Sequence, residues 1–161
     1  MTASSAPEFL DLLKSGLEAR ADLAALTPTP VVYTTWIDAD YSITDAIVIG
    51  YSGRSGPRNA AELGPNSVDE EPTLDSQIRV MRAGAGQTVA DKARDRAHSI
   101  LDKVDNELRT NHPELTTGSN FVMWARVGLW DYDAFPDPGS PAPLRVYVLQ
   151  FEILYRARLD P

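Results

Sequence analysis

Residues 144–159 read LRVYVLQFEILYRARL, and their alternation decides the fold: Tyr147, Leu149, Phe151, Ile153 and Tyr155 are interleaved with Val148, Gln150, Glu152, Leu154, Arg156 and Arg158. Successive side chains of a strand point to opposite faces, so the aromatic and aliphatic set lines a core and the mixed, Arg-bearing set lines the other face. Upstream, Phe121–Trp130 (FVMWARVGLW) is a second strand by its β-branched and aromatic content. The connector between them, Asp131–Pro143 (DYDAFPDPGSPAP), carries four prolines. It is therefore expected as a long loop that cannot pair into a sheet.

Further toward the N-terminus, Ala90, Ala93, Ala97, Ile100, Leu101, Val104 and Leu108 form one apolar stripe at helical spacing. Thr88 with Asp91 supplies a capping box, and a helix from Thr88 to Thr110 would be about 34 Å long. A strand at Gln77–Ala83 precedes it through an AGAGQT turn. The chain opens with a second amphipathic helix through Phe9, Leu10, Leu13, Leu17, Ala21 and Ala24, with Ser5 and Glu8 spaced as a capping box around Pro7. Pro28 and Pro30 end it. Val31–Ile37 and Ala46–Tyr51 read as strands joined through Asp38–Ser42 by a hairpin connection or short loop.

The predicted class is α+β: one mostly antiparallel sheet packed by two helices, in the order α-β-β-β-α-β-β. Long loops fall at about 52–76 and 131–143. At 161 residues the chain is expected to be a single domain, residues 1–161, with enough length for a core that needs no disulfide. Cysteine is absent, which removes thiol catalysis and cysteine-ligated metals. The net charge is −8, with −7 in residues 1–80 and −1 in 81–161, a poor footprint for gripping nucleic acid through phosphates. No signal peptide or bilayer-spanning stretch is expected.

Candidate chemistry is sparse. His98 lies inside the long helix, where Asp102 four residues on offers an ordinary surface contact, and His112 reads as a helix-end residue. Asp38 with Asp40, and Asp131 with Asp133, are carboxylate pairs able to hold a hard cation, although Asp-X-Asp also simply supports turns. The AGAGQT turn lacks the Lys of a phosphate-binding loop and the third glycine of a dinucleotide fingerprint, and no GxSxG elbow presents a nucleophile. No catalytic, cofactor-binding or metal residue is assigned. Trp130, Tyr132 and Phe135 instead run into the proline-rich segment, where a small domain can hardly bury all three, and clustered exposed aromatics mark contact surfaces. Arg156 and Arg158 fit either a solvated strand end or an interface. Arg54 and Arg58 fit either a solvated loop or contact with an acidic neighbour.

This layout resembles the tail terminator (tail completion) proteins of long-tailed bacteriophages. The resemblance rests on the leading helix FLDLLKSGLEARADLAAL, the strand at Pro30–Tyr33, the unit IRVMRAGAGQTVADKARDRAHSILDKVDNEL and the closing RVYVLQFEILYRARL. It implies a noncatalytic virion protein of the tail or neck, assembled in the host cytoplasm, without cofactor or membrane. Its copies would form a homohexameric ring that caps the major tail tube protein and joins a head-tail connector or stopper. Genomic DNA would pass through without specific binding. The other readings are a different neck or minor tail component, such as a connector or stopper itself, and a small metal-dependent or ligand-binding α+β enzyme using the two Asp pairs.

Overall fold

The computed structural model describes residues 5–34, 45–54, 68–111, 116–117, 120–136 and 142–159. Its helices are α1 (Ala6–Ala19), α2 (Ala21–Ala24) and α3 (Gln87–Asn111). Its strands are β1 (Val31–Tyr33), β2 (Asp45–Arg54), β3 (Val68–Glu70), β4 (Thr73–Ala83), β5 (Thr116–Thr117), β6 (Asn120–Pro136) and β7 (Leu144–Leu159). The class is α+β. One sheet runs β1-β2-β4-β7-β6-β5, and β3 continues the line of β4 along β7.

The alternation in β7 is realised: Tyr147, Leu149, Phe151, Ile153 and Tyr155 are all buried, and Gln150 is exposed on the other face. The helical stripe of α3 supplies Ala93, Ala97, Ile100, Leu101, Val104 and Leu108 to the same core. Phe9, Leu13 and Leu17 come from α1, and the Phe9 ring stacks on Tyr155 with centroids 3.9 Å apart. The opposite face of the sheet is only partly open, because Ala46, Val48, Met81 and Val146 are buried there too.

Several expectations need correction. The Asp131–Pro143 segment is not a loop throughout, since Asp131–Pro136 extends β6 and pairs with Gln150–Arg145. Only Pro136 falls in that strand, at its very end, where a missing N–H is tolerated. The stretch 52–76 is partly strand as well. Ser52–Arg54 remains in β2, β3 pairs with the end of β7, and β4 begins at Thr73, four residues before the predicted start. A hairpin between β1 and β2 is excluded because they pair in parallel, Val31 against Ala46, and parallel neighbours require a crossover.

Helix capping also differs. Ser5 makes no cap hydrogen bond; its backbone N–H and hydroxyl both donate to Glu70 Oε2, at 2.9 and 2.8 Å, and the hydroxyl meets the Tyr155 phenol at 2.9 Å. A buried carboxylate is the stronger acceptor and draws the serine away from the helix end. At α3 the Gly86 carbonyl accepts the Ala90 N–H, while Asp91 accepts from Gln87 and Arg94 rather than forming a box with Thr88.

Buried carboxylates tie the layers together. Asp45 has a fully buried side chain and accepts from Arg82 of β4 at 2.6 and 3.1 Å and from Arg96 of α3 at 2.8 Å. Glu107 of α3 accepts from Arg20, at the α1–α2 junction, and from Asn111. Removing one member of a buried pair strands the others. The two arginines facing Asp45 keep 22% and 14% exposure and so recover some hydration. Asp45→Ala is therefore expected to lower the unfolding free energy by about 2–4 kcal/mol in urea denaturation. A loss below about 1 kcal/mol, the range of a surface pair, would show that the triad does not hold β2, β4 and α3 together.

Candidate functional site

Among the described residues the sheet has one long open edge. β5 pairs with β6 only at Asn120 and Phe121, and among the described residues no strand lies on the outer side of β6 from Val122 to Pro136. Two register shifts interrupt β6 against β7, between Val122 and Trp124 and between Val127 and Trp130. At the second, Val127 opposes Ile153 and Trp130 opposes Phe151, so Gly128 and Leu129 share one place in the ladder. A bulge of this kind re-aims its side chains. Leu129 emerges 79% exposed, followed by Trp130 at 52%, Tyr132 at 53% and Phe135 at 45%.

These rings are held from behind. The Trp130 ring meets His98 of α3 edge-on, with centroids 5.1 Å apart, and Tyr132 stacks on the buried Tyr147 at 5.3 Å. His98 Nε2 lies 3.2 Å from the Tyr147 hydroxyl. Burial, reinforced by Tyr132, pushes the Tyr147 phenol above its ordinary range and keeps it protonated. His98 is thus a strut between helix and edge strand, not the helix-surface contact to Asp102 that its spacing suggests. Trp130 and Tyr132 face the helix side of the sheet, whereas Asp131, Asp133 and Phe135 share the other face with Gln150, Val148 and Val146. Rigid, half-exposed aromatics on an edge strand have the character of interface anchors.

The predicted arginines are distributed elsewhere. Arg54 ends β2, is 77% exposed and donates to Glu152 at 3.1 Å. Arg156 and Arg158 both bond to Asp69, whose side chain is 1% exposed, and in doing so fasten β3 to the end of β7. Arg58, His112, Asp38, Asp40 and Trp36 lie outside the described residues. Asp131 and Asp133 project from β6, and among the described residues no three His, Asp or Glu side chains converge as metal ligands. The AGAGQT segment is a strand-to-helix turn: Gly84 and Gly86 adopt φ of +117° and +93°, and the Gly84 N–H donates to the Pro143 carbonyl at 2.7 Å. Among the described residues no helix is long and apolar enough to cross a membrane.

Leu129 is a part of this surface that the sequence reading does not single out, while His98 and Tyr147 are read there only as a helix-surface contact and a core residue. The signal for Leu129 is present: Val127 and Trp130 are both large and apolar but three residues apart, a spacing that only a bulge reconciles with one face. Comparison with protein-family models and with curated proteins returned no match to this chain.

The anchoring of Asp69 has a pH signature. Burial raises its carboxyl, but the Arg158 and Arg156 hydrogen bonds and charges outweigh burial and hold it below the ordinary carboxylate value. A lowered folded-state value adds stability that is complete above roughly pH 4, the unfolded range, and is lost as the pH falls through the lowered value. Asp69→Asn is expected to lower stability at pH 7 and to flatten its decline as the pH falls below about 4. A titration of unfolding free energy against pH checks this, and an unchanged acid limb would remove Asp69 from the account.

Proposed function

We propose that the protein is a noncatalytic ring-forming virion component, a tail terminator in which six copies close head to tail at the end of a phage tail tube. The ring stops tube growth and offers its other face to the head connector or stopper. The observation that carries this reading is the edge strand β6, with Leu129, Trp130, Tyr132 and Phe135 exposed together on a fold whose other large apolar side chains are mostly inside. Apolar anchors held rigid in the free protein lose little conformational freedom on docking and suit a permanent contact. A heterologous contact closes into a ring when its rotation divides a circle. The net charge of −8 suits a conduit through which DNA passes without adhering.

Native mass spectrometry of the purified chain, alone and with tail-tube subunits, is expected to give a closed species of six chains, and tubes grown in its presence are expected to stop short. Leu129→Asp combined with Tyr132→Asp is expected to abolish the six-chain species while leaving the circular dichroism spectrum unchanged. A wild-type chain that stays monomeric at high concentration and neither caps nor binds tubes overturns the reading.

A further inference from the structure

On the face of the sheet turned away from α3, beside the second bulge of β6, lies a depression of about 400 Å³, within the size range of small-ligand sites. Its walls include Tyr51, Asp75, Leu129, Asp131, Gln150 and Glu152. The register explains why these residues meet. Asp75 of β4 lies directly across from Glu152 of β7, and Gln150, two residues earlier on the same face, lies across from Asp131 of β6. The bulge brings Leu129 in beside them. The depression therefore joins an apolar wall, the largely exposed Leu129 with Tyr51, to a rim of three carboxylates.

The charge of that rim is unbalanced. Glu152 accepts from the exposed Arg54, whereas Asp75 has no ion pair and Asp131 accepts only the N–H of Tyr132. Asp133, on the same face of β6, adds a further acid. The field reaches into the depression, where burial and then the Asp75 charge push the Tyr51 phenol above its ordinary value. Among the described residues no three carboxylates converge closely enough to hold a metal ion. Acids spread along a wall, with apolar surface between them, suit a broad cation on a hydrocarbon stem. An arginine side chain has both parts: its stem lies along apolar surface, and its planar guanidinium donates in several directions and is less strongly hydrated than an ammonium. We infer that this face of β6 receives an arginine of a different protein, with its guanidinium facing Asp75 and Asp131 and its stem against Leu129 and Tyr51. A second copy is the poorer source of that cation. Each copy carries a net charge of −8, and Arg20, Arg82, Arg96, Arg156 and Arg158 are bonded to carboxylates that are themselves buried. The inference rests on the reading of β6 as an assembly edge and divides that edge by face. Trp130 and Tyr132, on the helix side, remain for the neighbouring copy, and the acidic side meets an unlike neighbour.

The probe is the peptide acetyl-Leu-Arg-Leu-amide, titrated into the isotope-labelled chain and followed by nuclear magnetic resonance. Its counterpart with citrulline in place of arginine has the same shape and no charge. The arginine peptide is expected to shift the amides of Asp75, Leu129, Asp131, Gln150 and Glu152, and the citrulline peptide to bind at least about tenfold more weakly. The double variant Asp75→Asn, Asp131→Asn, checked for native circular dichroism, is expected to lose about the same factor for the arginine peptide. Asp102→Asn, which removes an exposed acid of α3 on the other side of the sheet, is expected to change nothing. Equal binding of the two peptides, shifts scattered over the other acidic surfaces, or an affinity unmoved by the double variant overturns the inference. Native mass spectrometry separates it from the reading above. The double variant is expected to keep the six-chain species, and losing it would make this face the seam between copies and overturn the assignment to an unlike partner. A wild type that forms no ring overturns the ring, while the peptide result still decides the arginine site.

Discussion

The structure depends on β7 being paired on both sides along almost its whole length. β4 and then β3 occupy one side and β6 the other, so the closing strand of the chain is the middle of the sheet. A central strand satisfies its backbone on both flanks and can bury a full row of side chains without leaving unpaired polar groups. Everything else is placed relative to that row. Helix α3 lies across β4, β7 and β6, α1 covers β1 and β2, and the Phe9–Tyr155 stack joins the opening helix to the closing strand. Loss of β7 would remove the partner of three strands and one wall of the core at once.

Apolar burial opposes a one-residue slip, and here buried carboxylates reinforce it. A one-residue slip of β2 against β4 would turn Asp45 away from Arg82 and Arg96 and leave a buried charge without a partner, in addition to reversing every apolar side chain. Asp69 plays the corresponding part for β3, and Glu70 the same for the start of α1 through Ser5. Burial and the neighbouring Glu70 drive the Tyr155 phenol far above its ordinary range, outweighing its contact with Ser5, so the Ser5–Tyr155 hydroxyl contact remains neutral throughout the physiological range. These devices spend charge on specificity at sites where a small error would otherwise go unpunished.

The same distinction explains what the sequence makes legible. The period-two row of β7 and the 3.6-period stripe of α3 are local patterns, and both can be read before any fold is known. The extension of β6 through Asp131–Pro136 is not local, because a segment with two aspartates that ends in proline becomes strand only when β7 is alongside it. β3 has three residues and exists through its pairing with Arg158 and its neighbours. The parallel pairing of β1 with β2 depends on a crossover that no turn motif announces. At the candidate surface, the exposed triad Trp130, Tyr132 and Phe135 follows from composition alone. His98 is misread because its true partner, Tyr147, is 49 residues away and the nearer Asp102 supplies a plausible local alternative.

An open edge strand invites indefinite pairing with other chains, and the construction of β6 answers that hazard in a way that bears on function. Two bulges break the regularity of its outer edge, Asp131 and Asp133 place like charges two residues apart, and Pro136 removes a donor at its end. Each of these discourages backbone-to-backbone strand addition. None of them hides the side chains, and beside the second bulge Leu129 is largely exposed and Trp130 half-exposed. Such an edge resists extension of the sheet while leaving its apolar side chains exposed. In the ring proposed above, contact through such side chains would be set by their angle, whereas a seam made of backbone ladder can continue without limit.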